Sequence, residues 1–237
     1  MPKGMTGEMH NRGIYEKYVK RLFDIICSAA FMIVFCWLYA IIALLVYIKI
    51  GNPIIFKQPR PGMNEKIFYM CKFRTMTDAH DASGKLLPDD KRMTPFGKWL
   101  RSTSLDELPE VWLIFTGKMS CVGPRPQLVR DMTFMTDKQR RRHSVRPGLT
   151  GLAQISGRNA ITWEDKLACD IRYVDNISFL GDVKILFTTV FKVFKREGIT
   201  EENMETAEDF GDYLLRSGSV TPEEYESKQK EALLLLK

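Results

Sequence analysis

Residues 25–48 read IICSAAFMIVFCWLYAIIALLVYI, an unbroken run without a charged side chain. As a helix rising ~1.5 Å per residue the run reaches roughly 36 Å, enough to cross a hydrocarbon layer of ~30 Å. It belongs in lipid. A cleavable signal peptide fits poorly, because the run exceeds a typical apolar signal core and no small-residue cleavage site follows it. Lys17, Lys20 and Arg21 precede the run and Lys49, Lys57 and Arg60 follow it. Positive flanks are drawn to the cytoplasmic side, so a re-entrant helix satisfies both, whereas an ordinary span leaves one outside. The charge pattern leaves both topologies open. Upstream, YEKYVKRLFD sets Tyr15, Val19, Leu22 and Phe23 at helical spacing with basic residues between them, as an interfacial helix would. Residues 1–13, with Gly4, Gly7 and Gly13 and no apolar period, read as a flexible leader.

The chain of 237 residues has room for one substantial core. Its formal charge of +6 suits a partner carrying phosphates, whether nucleic acid, anionic bilayer or a phosphorylated small molecule. That charge is uneven: residues 201–237 hold ten acidic and four basic side chains, leaving the first 200 residues at +12. Five scattered cysteines without a C-x-x-C pair indicate neither a disulfide framework nor a zinc site, and fit a reducing compartment.

After Gly51, PIIF and KIFYMCKF suggest two short strands forming a hairpin, with QPRPG as the turn. Residues 77–95 read as a polar loop before the helix FGKWLRS. A further helix is expected from Leu105 or Asp106 through Phe115, ending at Gly117. Residues 122–159 are dense in Pro, Gly and Arg around a polar helix near Thr136–His143, and a helix follows from Trp163 to Val174. In FLGDVKILFTTVFKVFKREG, Phe187, Phe191 and Phe194 share one helical face beside lysines, a pattern that suits a membrane surface or a core. The acidic tail admits one or two helices, one starting at Ser219–Pro222.

RSTSLDELPE (101–110) is the most informative string chemically. It places Asp106 and Glu107 side by side at an expected helix start. Neighbouring helical side chains diverge by ~100°, so the two carboxylates take separate roles. One can attack phosphorus as a covalent nucleophile, and the other can hold a divalent cation. Taken alone, the pair reads better as helix-capping residues. KFRTM (72–76), VGPRP (122–126), RPGLTG (146–151) and SGRN (156–159) each add a basic group on a stiff or tight backbone. An arginine fork held in this way grips two phosphate oxygens.

Taken in order, KRLFD, FKQPRPG, KFRTM, SLDELPE, GPRP, RPGLTG and GRNA resemble the bacterial sugar transferase family, the monotopic phosphoglycosyl transferases, in their small form. The resemblance runs from Tyr15 to about Gly198. It implies an α+β fold: a re-entrant membrane helix bent near Phe35–Leu38 in an anchor over 14–50, amphipathic interfacial helices, and a small catalytic domain over 51–200 with a short β-hairpin. An acidic extension over 201–237 lies outside it. The implied reaction moves a sugar 1-phosphate from a UDP-sugar to undecaprenyl phosphate, with magnesium (Mg2+), by a ping-pong route through an aspartyl phosphosugar. The implied place is the cytoplasmic face of the bacterial inner membrane, at the first membrane step of glycoconjugate or exopolysaccharide synthesis, and a homodimer is compatible with it. Residue by residue, Asp106 matches the nucleophile and Glu107 its magnesium-binding partner. Arg101, Arg125 and Arg158 match basic positions near the phosphates, with Lys72 beside them, and the anchor falls on Lys20, Arg21, Phe35, Cys36 and Trp37. The chain departs from close relatives at Cys36 and Trp37, where they break the helix with Ser-Pro. A non-catalytic adaptor binding anionic lipid or nucleotide sugar would keep the arginines and have no use for Asp106. Nucleic acid is set aside, since no binding motif accompanies the apolar run.

Overall fold

The computed structural model describes residues 13–157, 161–195 and 208–236. The expected leader, apart from Gly13, lies outside them, as do Arg158 and the side chain of Phe194. A π-helical turn at Tyr15–Val19 continues into α1 (Lys20–Val34), which breaks at Phe35 and resumes as α2 (Cys36–Lys49). Among the described residues no single helix is long and apolar enough to cross a membrane. Tyr15–Val34 and Cys36–Lys49, bent by 65°, meet that length and composition together. The bend falls where Phe35–Leu38 was expected to carry it, without a proline. Phe35 leaves the helical region (φ −105°, ψ 16°), and its carbonyl accepts the N–H groups of both Leu38 and Tyr39, which tightens the turn.

α1 is built inside out. Its buried residues are Lys20, Asp24 and Ser28, a polar stripe at four-residue spacing, whereas Leu22, Ile26 and Ile33 face outward. Lys20 and Arg21, expected as the basic flank of a membrane anchor, therefore turn toward the folded unit. α2 inserts Ile42 and Val46 into a core with Phe73, Leu100 and Leu108. Each such side chain contributes about 2 kcal/mol by leaving water.

The hairpin pairs β1 (Ile55–Pro61) with β2 (Ile67–Phe73), but QPRPG is not its turn. Gln58 to Pro61 run within β1, and the chain reverses at Gly62–Lys66, where Asn64 and Glu65 take positive φ. A two-stranded ribbon has a free edge on each strand, so prolines without an N–H are tolerated there. A second ribbon, parallel, joins β3 (Ser120–Val122) to β4 (Gly148–Thr150). Here the glycines of VGPRP and RPGLTG let two backbones touch: a Cβ on Gly148 would stand 2.1 Å from the Gly123 nitrogen.

α3 (Pro95–Ser102) is capped by Thr94, whose side chain accepts the Gly97 N–H. α4 (Glu110–Phe115) follows, then α5 (Val129–Phe134), and a short helix with a 3-10 turn covers 137–144. α6 (Trp163–Asp175) and α7 (Phe179–Lys195) agree closely with expectation. α7 buries Ile185 and turns Phe187 and Phe191 outward, so those two rings do not pack into the core. The tail forms α8 (Phe210–Arg216) and α9 (Pro222–Leu234), the latter capped by Thr221 as SVTPEE suggested. Phe210 packs with Met135, Trp163 and Leu167, so the extension shares a core with α6.

Candidate active site

The RSTSLDELPE string does not form one helix. Ser104 adopts φ 55°, Leu105–Glu107 make a single 3-10 turn, and α4 begins only after Pro109. Proline lacks the N–H that a continuous ladder would need. A three-residue turn has little macrodipole, and the charge of Glu107 is met by side chains instead. The spacing of L-D-E-L sorts the residues by direction. Leu105 and Leu108 pack with Phe73, Leu100 and residues of α2, while the acids meet the hairpin and the GPRP loop.

Lys72, at the end of β2, places Nζ 2.7 Å from Glu107 Oε1 and 3.4 Å from Glu110 Oε1. Arg125 pairs with the same Glu107 oxygen. Burial alone would raise the Glu107 pKa, yet Arg125 and Lys72 hold it well below the carboxylate range. Asp106 is buried with no hydrogen bond or ion pair to its carboxylate among the described residues. Burial, with Glu107 adding to it, pushes Asp106 up to about 6 against the pull of Lys72, Arg101 and Arg125. Arg101 reaches the site from α3, where its Nε donates to Thr75 Oγ1 at 3.1 Å, and burial lowers its pKa. Gly97 permits that approach, since a Cβ there would lie 1.9 Å from the Thr75 carbonyl oxygen.

Lys72, Arg101, Asp106, Glu107 and Arg125 thus share one site, whereas Phe35, Cys36 and Trp37 lie at the bend and Lys20 and Arg21 under the domain. Three further residues escaped the sequence reading. Glu110, which shares Lys72 with Glu107, is buried with one oxygen lacking a hydrogen-bond partner; burial and Glu107 push it up to about 7. Arg60, inside the QPRPG string, is lowered to about 10 by burial and by Arg125 nearby, and its Nε is buried without a partner. Arg142 donates to the Arg125 carbonyl at 2.6 Å and is held by a buried pair with Asp170. Its sequence context, RRRHS, carries no sign of this.

The oxygen donors suit a hard cation. Among the described residues no three His, Cys, Asp or Glu side chains form a ready metal cage. Magnesium characteristically takes one or two carboxylates and completes its shell with water and substrate phosphate. Glu107 and the under-partnered Glu110 supply that much, and both already face a cationic point at Lys72 Nζ.

Carboxylates ringed by lysine and arginine beside an apolar bent helix have the composition of a phosphate-handling site. Residues 15–196 match the bacterial sugar transferase family, and the chain belongs to it. The uncharacterized sugar transferase EpsL of Bacillus subtilis (strain 168) is 50% identical over 194 residues, covering 81% of this chain and 95% of EpsL. The UDP-glucose:undecaprenyl-phosphate glucose-1-phosphate transferase of Klebsiella pneumoniae is 40% identical over 185 residues, covering 74% of this chain and 40% of that protein. The undecaprenyl-phosphate galactose phosphotransferase of Salmonella typhimurium is 33% identical over 205 residues, covering 77% and 42%. The chain therefore spans nearly all of the first relative and less than half of the other two.

Proposed function

We propose that the chain transfers a sugar 1-phosphate from a UDP-sugar to undecaprenyl phosphate, with Asp106 as covalent nucleophile. An Asp106 carboxylate oxygen attacks the phosphorus bearing the sugar. The bond from that phosphorus to the UMP oxygen breaks, and UMP leaves with the electron pair. A phosphate oxygen of the lipid then attacks the same phosphorus, and the Asp106 carboxylate is released unchanged. The observation that carries this reading is the contrast between neighbours: Glu107 is clamped by Lys72 and Arg125, while the buried Asp106 carboxylate has no hydrogen bond or ion pair among the described residues. An adaptor would have no use for such a group. Lys72, Arg101 and Arg125 offset charge on the transferring phosphate, and Arg142 steadies Arg125 through its carbonyl. Glu107, with Glu110 beside it, would hold magnesium, which when bound polarises phosphate oxygens. Intact-protein mass spectrometry with UDP-sugar and no lipid tests the reading. A phosphosugar adduct is expected on wild type and absent from Asp106→Asn, and EDTA is expected to stop turnover.

The helix pair supports a re-entrant seat in the inner membrane, since α1 hides its polar stripe and presents its apolar face outward. Single cysteines near Gly13 and Gly51, in a cysteine-depleted variant, are both expected to resist an impermeant maleimide in intact cells and to react after lysis. Labelling of the Gly13 site alone in intact cells would establish a full span.

A further inference from the structure

We propose that Tyr39 is a positioning residue for the catalytic turn: its hydroxyl fastens the second arm of the bent helix to the Leu108 carbonyl and thereby sets where Asp106 stands. The proposal rests on the reading of Asp106 as nucleophile. Tyr39 lies one turn past the break at Phe35, and its hydroxyl donates to Leu108 O at 2.7 Å across 69 residues of sequence. That carbonyl also accepts the Val111 N–H at 3.1 Å, so it joins the 3-10 turn carrying Asp106 to the helix carrying Glu110. The Tyr39 ring meets Phe73 at 6.4 Å between centroids, and Phe73 adjoins Lys72. One side chain therefore meets two segments that carry site charges, through the Leu108 carbonyl beside Glu107 and the Phe73 ring beside Lys72.

The first arm grips the other end of the same segment. Arg21 donates from Nη1 to Ile114 O and from Nη2 to Phe115 O, both at 2.7 Å, occupying the last carbonyls of α4. Residues 105–115 are thus held at one end by α1 and near the other by α2. Neither Tyr39 nor Arg21 touches Asp106, Glu107 or Lys72 by hydrogen bond or ion pair among the described residues, so their influence on chemistry is through backbone placement. Small displacements of a reacting group are costly in rate. Because residues 25–48 contain no proline, the direction of the second arm is set by side-chain contacts such as this bond rather than by a local kink former.

The test uses the full chain in lipid nanodiscs and compares wild type, Tyr39→Phe and Tyr47→Phe, the last an exposed tyrosine on α2 serving as control. Tyr39→Phe keeps the ring and removes one hydrogen bond. It is expected to slow adduct formation and kcat by about fivefold to tenfold, the rate equivalent of one such bond, with the KM for UDP-sugar within about twofold of wild type. Hydrogen exchange at amides of residues 105–115 is expected to quicken while that of 163–175 stays unchanged, and Tyr47→Phe is expected to match wild type throughout. Wild-type rates in Tyr39→Phe, with or without faster exchange, overturn the proposal, as does a loss confined to KM. If wild type itself forms no adduct, the nucleophile reading has failed. The exchange arm then decides the clamp alone: faster exchange in 105–115 supports it and unchanged exchange overturns it.

Discussion

Two clusters of buried charge differ in how completely they are paired. Under α1, Asp182 accepts Lys20 Nζ at 2.5 Å, the Tyr15 hydroxyl at 2.7 Å and the Tyr173 hydroxyl at 2.8 Å. Asp24 accepts the Cys121 N–H at 2.8 Å and the Ser120 hydroxyl at 3.1 Å. Around Asp106, Glu107 takes both Lys72 and Arg125, Glu110 shares Lys72, the Asp106 carboxylate has no hydrogen bond or ion pair among the described residues, and one Glu110 oxygen has no hydrogen bond. Both clusters bear the cost of burying charge. Among the described residues, only the first is satisfied by hydrogen bonds and ion pairs. Saturated pairing holds α1 against α7, α6 and β3, whereas the pairing around Asp106 is incomplete among the described residues.

Breaking each cluster should therefore fail in a different way. The largest effect is expected from Asp106→Asn, which should lower turnover by roughly 10⁴-fold or more while the melting temperature stays near wild type. A variant that turns over normally would remove Asp106 from the chemistry. Asp182→Ala should do the reverse, leaving Lys20 buried without its counter-ion and lowering stability by about 3–5 kcal/mol, read by thermal or denaturant unfolding. An unchanged unfolding midpoint would show that the second cluster is not a structural tie.

Acid sharpens the comparison with a smaller effect from outside both clusters. His143 is buried beside Glu65, which Arg140 also holds at 2.6 Å. Burial lowers the His143 pKa to about 4 from 6.5. Burial would raise that of Glu65, but His143 and Arg140 bring it down to about 2 from 4.5. Both folded-state values lie below the unfolded ones, so both groups destabilise the fold as pH falls. The His143 contribution is complete above pH 6.5 and disappears toward pH 4, worth about 3 kcal/mol. That of Glu65 disappears from pH 4.5 toward 2. His143→Phe is expected to flatten the stability profile between pH 6.5 and 4, and a slope unchanged by that substitution would assign it elsewhere.

Much of this was legible in the chain. Lys72, Asp106, Glu107 and Arg125 were picked out by residue type and local stiffness, and the structure brings them together. The start of α9 followed from Thr221 and Pro222, and the extent of α6 from its period. The misreadings share a cause. QPRPG was expected to turn because Pro and Gly usually do, but an edge strand accepts prolines. The helix over 105–115 was expected to be continuous because its apolar spacing is helical, but Pro109 divides it. Lys20 and Arg21 were read from charge count, which carries no information about the direction in which a side chain points.

The sequence by itself determined the apolar run and the residue types suited to phosphate, because each depends on a few neighbouring side chains; the place of the bend, in a run without proline, was implied by the family resemblance instead. Tertiary structure alone decided which of those residues are satisfied. Lys72 and Glu107 are 35 positions apart, Arg125 and Glu107 18, and Tyr39 and Leu108 69. Hydrogen bonding and burial act over a few ångströms, so whether a carboxylate is clamped or left unpaired is set only once distant segments have packed together.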